Sequence, residues 1–374
     1  MKKILIISDK FKGTLTAIEV CDTIKSVLLS SGLGYSVKTI PMADGGEGSV
    51  KSLTSPKDKI VKCMASNALG EIIEAEYIIK NNSTAIIEMA ESVGLLRVED
   101  NKHNPERTST FGFGEMIVDA YEKYGIRNFI LTIGGSATND CGIGFLSAMG
   151  LYFLDEKGNE ISPNGLAMKK VYDIVETIEF KKYKECSFTV ASDVDNTLLG
   201  ERGSARVYAR QKGADDKMID RLEIGATHFV DVIDKIYKSD VAKIIGGGSA
   251  GGVGMALNHF LGAEIVSGAS FIFKELEVEK YISEADLVIS GEGSVDSQTL
   301  NGKLVKQLAD LCLKYKKQNI VVCGVVDDKI TAEKLGVNAI YPIVRNGVKK
   351  EMSIKNASSE LRILIKELIS KNIL

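Results

Sequence analysis

The chain has 374 residues, more than one hydrophobic core ordinarily supports, so two domains are expected. It is 44% hydrophobic, and its 47 Lys plus Arg against 50 Asp plus Glu leave a formal charge of −3, which supplies neither a basic nucleic-acid surface nor an acidic tail. No run approaches the roughly 18 apolar residues of a membrane span, the apolar segment before Ser8 is too short for a secretory signal, and the six cysteines are scattered without a Cys-x-x-Cys pair. The expected setting is therefore soluble and cytoplasmic, with reduced thiols.

Residues 3–8 (KILIIS) are short, β-branched and continuously apolar, and predict a buried strand. A helix begins at Thr16, where Glu19 completes a capping box and Val20, Cys21, Ile24, Val27 and Leu28 form one apolar face. A second strand is predicted over about 35–42. From about 59 to 186 the pattern becomes more β-rich, with runs at 59–63, 72–79 and 84–89. Within that stretch a helix is predicted at about 112–124 and a hairpin tip at Glu156–Asn159. Further strands are predicted at 187–192, 286–290, 319–326 and 338–344, with one more candidate at 241–245. A helix carries Leu304, Val305, Leu308, Leu311, Cys312 and Tyr315, and a final helix buries Leu361, Leu364, Ile365 and Leu368. The stripe Ile219, Leu222, Ala226, Phe229, Val230 and Ile233 is core packing. The expected fold is α/β, with a parallel sheet of about six strands covered on both faces and built from 1–58 and 187–374. An inserted, more β-rich domain occupies 59–186.

Glycine is the informative residue type. Five segments place Gly, Ser, Asp or Lys directly after an apolar run: SDKFKGTLTA (8–17), ADGGEG (43–48), IGGSATND (133–140), IGGGSAGG (245–252) and SGEGSVDSQTLNGK (290–303). Beyond the carboxyl ends of the strands of an open α/β sheet, such loops bring backbone N–H groups close to phosphate or carboxylate. Gly246 to Gly251 matches Gly-x-Gly-x-x-Gly, but the acidic residue of a dinucleotide site is missing about 20 positions later, and no P-loop pattern occurs. Asp193 and Asp195 alternate after a predicted strand, so both carboxylates can face one site. Turn capping is the plainer role for such aspartates. Asp296 lies beyond a second strand, and Lys12 and Lys303 sit beside glycines as candidate phosphate contacts. Carboxylates and cations in glycine loops suit phosphoryl transfer, which needs charge neutralisation and an oriented hydroxyl.

Taken together, SDKFKGTLTA, PMADGGEG, EMAESVGL, HNPERTSTFGFGE, IGGSATND, SDVDN, QKGA and SGEGSVDSQTLNGK resemble the bacterial glycerate kinase family nearly end to end. The resemblance implies a Rossmann-like α/β domain joined to a second α/β domain, with the active site in the cleft between them. It also implies formation of phosphoglycerate from glycerate and ATP with Mg2+. The chain departs from the family pattern at Asn196-Thr197, where Asn-Pro is usual, and at Cys141-Gly142, where Gly-Gly is usual. It departs again at Tyr208-Ala209-Arg210 and at Asn67-Ala68-Leu69-Gly70.

On this basis Asp193 is expected to be the base or orienting group for the substrate hydroxyl, with Asp296 as its rival, and Asp195 to help hold Mg2+. Lys12, Asp44, Gly45, Gly46, Gly134, Gly135 and Ser136 are expected on the substrate carboxylate or the transferred phosphoryl. Thr138, Asn139 and Asp140 would bond glycerate hydroxyls or cap a helix. Gly291, Glu292, Gly293 and Lys303 would serve the nucleotide, and the two sides are interchangeable on the sequence alone. Arg107, in the polar loop after His103, is a candidate carboxylate clamp or a surface residue. Two other activities fit the same residues: a kinase for a related small hydroxy or sugar acid, and a non-catalytic anion-binding sensor. Oligomeric state is left open.

Overall fold

The computed structural model describes residues 1–11, 13–42, 57–300, 304–344 and 356–374. The chain divides into two compact units: Met1–Asp44 with Ala269–Leu374, and Gly45–Gly268. No helix among the described residues is long and apolar enough to cross a membrane.

The discontinuous unit is a five-stranded parallel sheet. Its strands are β1 (Lys3–Ser8), β2 (Ser36–Pro41), β11 (Leu287–Val295), β12 (Gln318–Val326) and β13 (Ala339–Pro342), in the order β13-β12-β11-β1-β2. Side-chain alternation divides its core. Ile4, Ile6, Leu287, Ile289, Ile320 and Val322 pack with the helices Ala17–Ser30 and Ala357–Ser370. Val321 and Cys323 belong to a separate core with Val305 of the helix Leu304–Lys314. Thr16 caps the first helix, accepting from the Glu19 N–H while the Glu19 carboxylate accepts from the Thr16 N–H, so the expected capping box is present. β2 lies on one side of β1 and β11 on the other. The order of the sheet therefore reverses at β1/β11, the position where open α/β sheets leave a ligand crevice beyond the carboxyl ends.

The inserted unit is built on a six-stranded sheet of β3 (Lys59–Ser66), β4 (Ile72–Lys80), β5 (Thr84–Glu88), β6 (Asn128–Thr132), β9 (Ser187–Ala191) and β10 (Glu264–Val266), in the order β10-β9-β6-β5-β4-β3. β5, β6, β9 and β10 run parallel, while β4 is antiparallel to β3 and β5. A two-stranded ladder pairs β7 (Leu151–Leu154) with β8 (Asp173–Glu176).

The structure differs from the expected organisation in three places. Segment 187–192 is not the sixth strand of the first sheet; as β9 it sits between β6 and β10 of the second. The return to the first unit consequently falls at Ala269, not at 187. A buried parallel strand looks the same whichever sheet receives it, because its apolar run reflects burial on both faces and not the identity of its neighbours. The candidate strand at 241–245 is instead a single helical turn, Val241–Lys243.

Candidate active site

Strand register aligns one edge of the inserted unit. Glu88 pairs with Thr132, Thr132 with Ala191, and Ala191 with Val266, so four parallel strands end side by side. The segments leaving that edge are EMAESVGL, IGGSATND and SDVDN, three of those that carry the family resemblance. Main-chain bonds lace the first two together: Leu95 N–H donates to the Gly135 carbonyl and Ala137 N–H to the Val93 carbonyl.

The IGGSATND loop buries four polar residues, Ser136, Thr138, Asn139 and Asp140. Two of them keep hydrogen-bonding capacity unspent. The Thr138 hydroxyl and Asn139 Nδ2 are buried without a partner among the described residues, as is the Thr132 hydroxyl below them. Buried polar groups without partners cost free energy until something binds them, so their clustering on one loop makes it a candidate ligand site.

Asp140 differs, because its carboxylate is engaged by its own chain. Its carboxylate accepts from Thr110 N–H and Thr110 Oγ1, both at 2.8 Å, from Gly142 N–H at 3.0 Å and from Gly144 N–H at 3.2 Å. Burial pushes its carboxyl above the usual range, opposed by these four bonds. Asp140 therefore ties the HNPERTST segment to the first turn of the helix Ile143–Ala148, the capping alternative.

Lys212, from the QKGA segment, is the residue that sequence reasoning left without a role. Only 3% exposed, it donates from Nζ to Ser136 Oγ at 3.1 Å and to the Thr138 carbonyl at 2.6 Å. No carboxylate among the described residues forms an ion pair with it. Burial pulls its ammonium from 10.5 down to about 8, opposed by the field of Asp140. Between those two values the unfolded chain carries a proton that the folded chain has released, so folding stability rises with pH across the window, by on the order of 3 kcal/mol. Denaturant melts through that window should show wild type gaining stability relative to Lys212→Met; a difference that stays constant with pH contradicts the shift.

Asp193 and Asp195 both emerge exposed from the end of β9, with Val194 half-buried between them. Asp193 Oδ1 accepts from Ser267 Oγ at 2.8 Å, linking the exits of β9 and β10. Asp195 pairs with Arg202 at 3.1 Å. Asn196 anchors the same loop, accepting from Tyr208 Oη at 2.8 Å and donating to the Arg202 carbonyl at 2.7 Å. These bonds hold the residue before Thr197, the position where the family pattern has proline.

The IGGGSAGG segment packs against neighbouring backbone. A Cβ on Gly251 would lie 2.2 Å from the Thr138 carbonyl oxygen, and one on Gly248 would lie 2.3 Å from that of Thr197. Cys141 N–H donates to Gly251 O and Gly248 N–H to Asn196 O. Glycine is needed because this segment is a backbone seam holding the Thr138 and Asn196 loops in place. In the preceding polar loop, the His103 ring Nε2 lies 3.1 Å from the carbonyls of Leu95 and Val98, and Arg107 stays exposed. Its neighbour Glu106 is the engaged residue, accepting two bonds from Arg221.

In the discontinuous unit, of the residues expected to serve the nucleotide, Gly291, Glu292 and Gly293 lie inside β11, which runs on to Val295, and not in a loop. A Cβ on Gly291 would meet Ser8 Oγ at 2.6 Å, so this glycine serves strand packing. Glu292 is buried and accepts from Thr299 Oγ1 at 2.5 Å, while Asp296 N–H donates to the same hydroxyl at 3.1 Å. Thr299 thus shapes the turn that begins at Asp296, at the β1/β11 reversal. Asp296 and Asp193, the two candidate bases, belong to different units. Lys12, Asp44, Gly45, Gly46 and Lys303 lie outside the described residues.

A parallel sheet whose strand order reverses at β1/β11, interrupted in sequence by a second α/β unit with buried polar residues on a loop at one strand edge, defines a two-unit α/β protein. The glycerate kinase family profile matches residues 4–371, and the chain belongs to that family. It is 37% identical over 345 residues to the glycerate 2-kinase of Escherichia coli K12, covering 91% of this chain and 90% of the relative. It is 36% identical to the glycerate kinase of Bacillus subtilis 168, covering 95% and 94%. A solved structure of a protein described as a glycerate kinase 2 from Salmonella typhimurium LT2 superposes with a TM-score of 0.84 over the whole of both chains, at 33% identity.

Proposed function

We propose that this protein transfers the γ-phosphoryl group of ATP to a hydroxyl of glycerate, releasing ADP and phosphoglycerate in the cytoplasm. The observation that carries the reading is the strand edge of the inserted unit, where the unspent buried polar groups of Thr138 and Asn139, with the buried Ser136 on the same loop, lie one strand away from the exposed carboxylate of Asp193. A three-carbon hydroxy acid needs this combination: donors for its carboxylate and hydroxyl oxygens, and a carboxylate to orient the attacking hydroxyl. In the transfer, that hydroxyl oxygen forms the new P–O bond as the bond to the ADP oxygen breaks, and its proton passes to Asp193. Gly134 and Gly135 let the main chain approach the substrate beside Ser136. The nucleotide is assigned to the β1/β11 reversal of the other unit, with the turn at Asp296 and with Lys12 and Lys303. Asp44, Gly45 and Gly46 are assigned to the transferred phosphoryl.

The donor set suits a nucleotide-borne Mg2+. Asp195 provides an exposed hard-oxygen group, and Mg2+ takes one or two protein carboxylates alongside phosphate oxygens and water. When bound, the cation would supply charge neutralisation on the phosphates.

The test is ADP release with D-glycerate, followed by identification of the product. The name of the Escherichia coli relative leads us to expect 2-phosphoglycerate. Turnover with a homologous hydroxy or sugar acid but not with glycerate would replace the substrate. Thermal stabilisation by glycerate without any transfer would make the protein a sensor.

A further inference from the structure

We infer that Lys212 is the positioning residue of the substrate-carboxylate site, holding the Ser136 hydroxyl so that its proton is presented to the carboxylate of glycerate. The inference rests on the glycerate kinase reading and specifies how this site distinguishes a hydroxy acid from a neutral polyol or amide.

An ammonium has three donors and no acceptor, so in the contact between Lys212 Nζ and Ser136 Oγ the serine oxygen must accept. The remaining capacity of that oxygen includes its own O–H, which makes no bond to any described residue. A hydroxyl free to rotate could serve as donor or acceptor. With a lysine proton fixed on its lone pair, it is polarised as a donor. The second Lys212 bond, to the Thr138 carbonyl at 2.6 Å, anchors the loop two residues further along, at the residue whose own hydroxyl is buried and unpartnered. Asn139 Nδ2, the next unpartnered group, is a donor as well. The loop therefore gathers Ser136 O–H, Thr138 O–H and the Asn139 amide over one buried positive charge.

Among the described residues that charge has no counter-ion. Asp140 lies near enough for its field to be felt, but its carboxylate is spent on Thr110, Gly142 and Gly144. A buried cation whose direct partners are a hydroxyl and a carbonyl is poorly compensated, and an incoming anion supplies what is missing. A purely structural lysine would be served better by a carboxylate partner or by an apolar replacement.

The experiment compares wild type, Lys212→Met, Ser136→Ala and the double variant with D-glycerate and with its neutral amide, glyceramide, under saturating ATP. Thermal midpoints are recorded so that unfolded variants are recognised. KM for glycerate should rise about tenfold or more in each single variant, with KM for ATP nearly unchanged. The double variant should be no worse than Lys212→Met, because the two residues act through one another. Wild type should prefer glycerate over glyceramide in kcat/KM, and Lys212→Met should lose most of that preference, which general loosening of the loop would not produce selectively. A folded Lys212→Met that keeps its full preference overturns the inference, as does a loss that appears in KM for ATP instead. If Lys212→Met does not fold, Ser136→Ala decides by the same two readouts. Absence of glycerate turnover in wild type fails the kinase reading itself and is recognised separately.

Discussion

Asp193→Asn should lower turnover with glycerate at least about a hundredfold, the usual scale for loss of a general base, and leave the thermal midpoint almost unchanged. The two halves follow from one geometry. Asp193 is exposed at the end of β9, and its described partner is the exposed hydroxyl of Ser267, so little folding energy depends on its charge. Asparagine can still accept that bond, but it cannot take a proton from a hydroxyl. Asp296→Asn is the companion measurement. Asp296 holds its turn through its backbone, with its N–H on Thr299 Oγ1 and its carbonyl receiving Thr299 N–H. Near-normal turnover in Asp193→Asn together with a large loss in Asp296→Asn would transfer the role of base to the other unit.

Asp140→Ala should be the most destabilising single change in the inserted unit, lowering stability by about 3–5 kcal/mol or preventing folding. Alanine strands four donors in a fully buried place: the N–H groups of Thr110, Gly142 and Gly144, and the Thr110 hydroxyl. Each abandoned buried donor costs about 1–3 kcal/mol before relaxation. The change also removes the negative field that favours the charged form of Lys212. Equilibrium denaturation distinguishes this from a substrate-binding role. A variant with wild-type stability and a raised KM for glycerate would return Asp140 to the substrate.

Much of the fold was legible because its causes are local. The KILIIS run, the Thr16 capping box and the Leu361, Leu364, Ile365, Leu368 stripe each depend on residues within a few positions of one another, and each forms the element its pattern predicts. The glycine loops were legible as places where the chain bends closely. Their uses were not. IGGSATND carries unspent polar groups, whereas IGGGSAGG is a seam and Gly291 packs a strand, because a glycine admits a ligand, a neighbouring backbone or a neighbouring side chain equally well.

What the sequence determined by itself was the α/β character, the resemblance to a kinase family and the segments from which the chemistry is drawn. Tertiary structure alone decided that SFTVAS joins the inserted sheet, that Asp140 is an internal tie and that Lys212 lies buried against Ser136 and Thr138. The physical reason is range. Periodicity and capping are set by neighbours along the chain, while strand partners and buried charges are set by contacts across it, such as the one that joins position 212 to position 136.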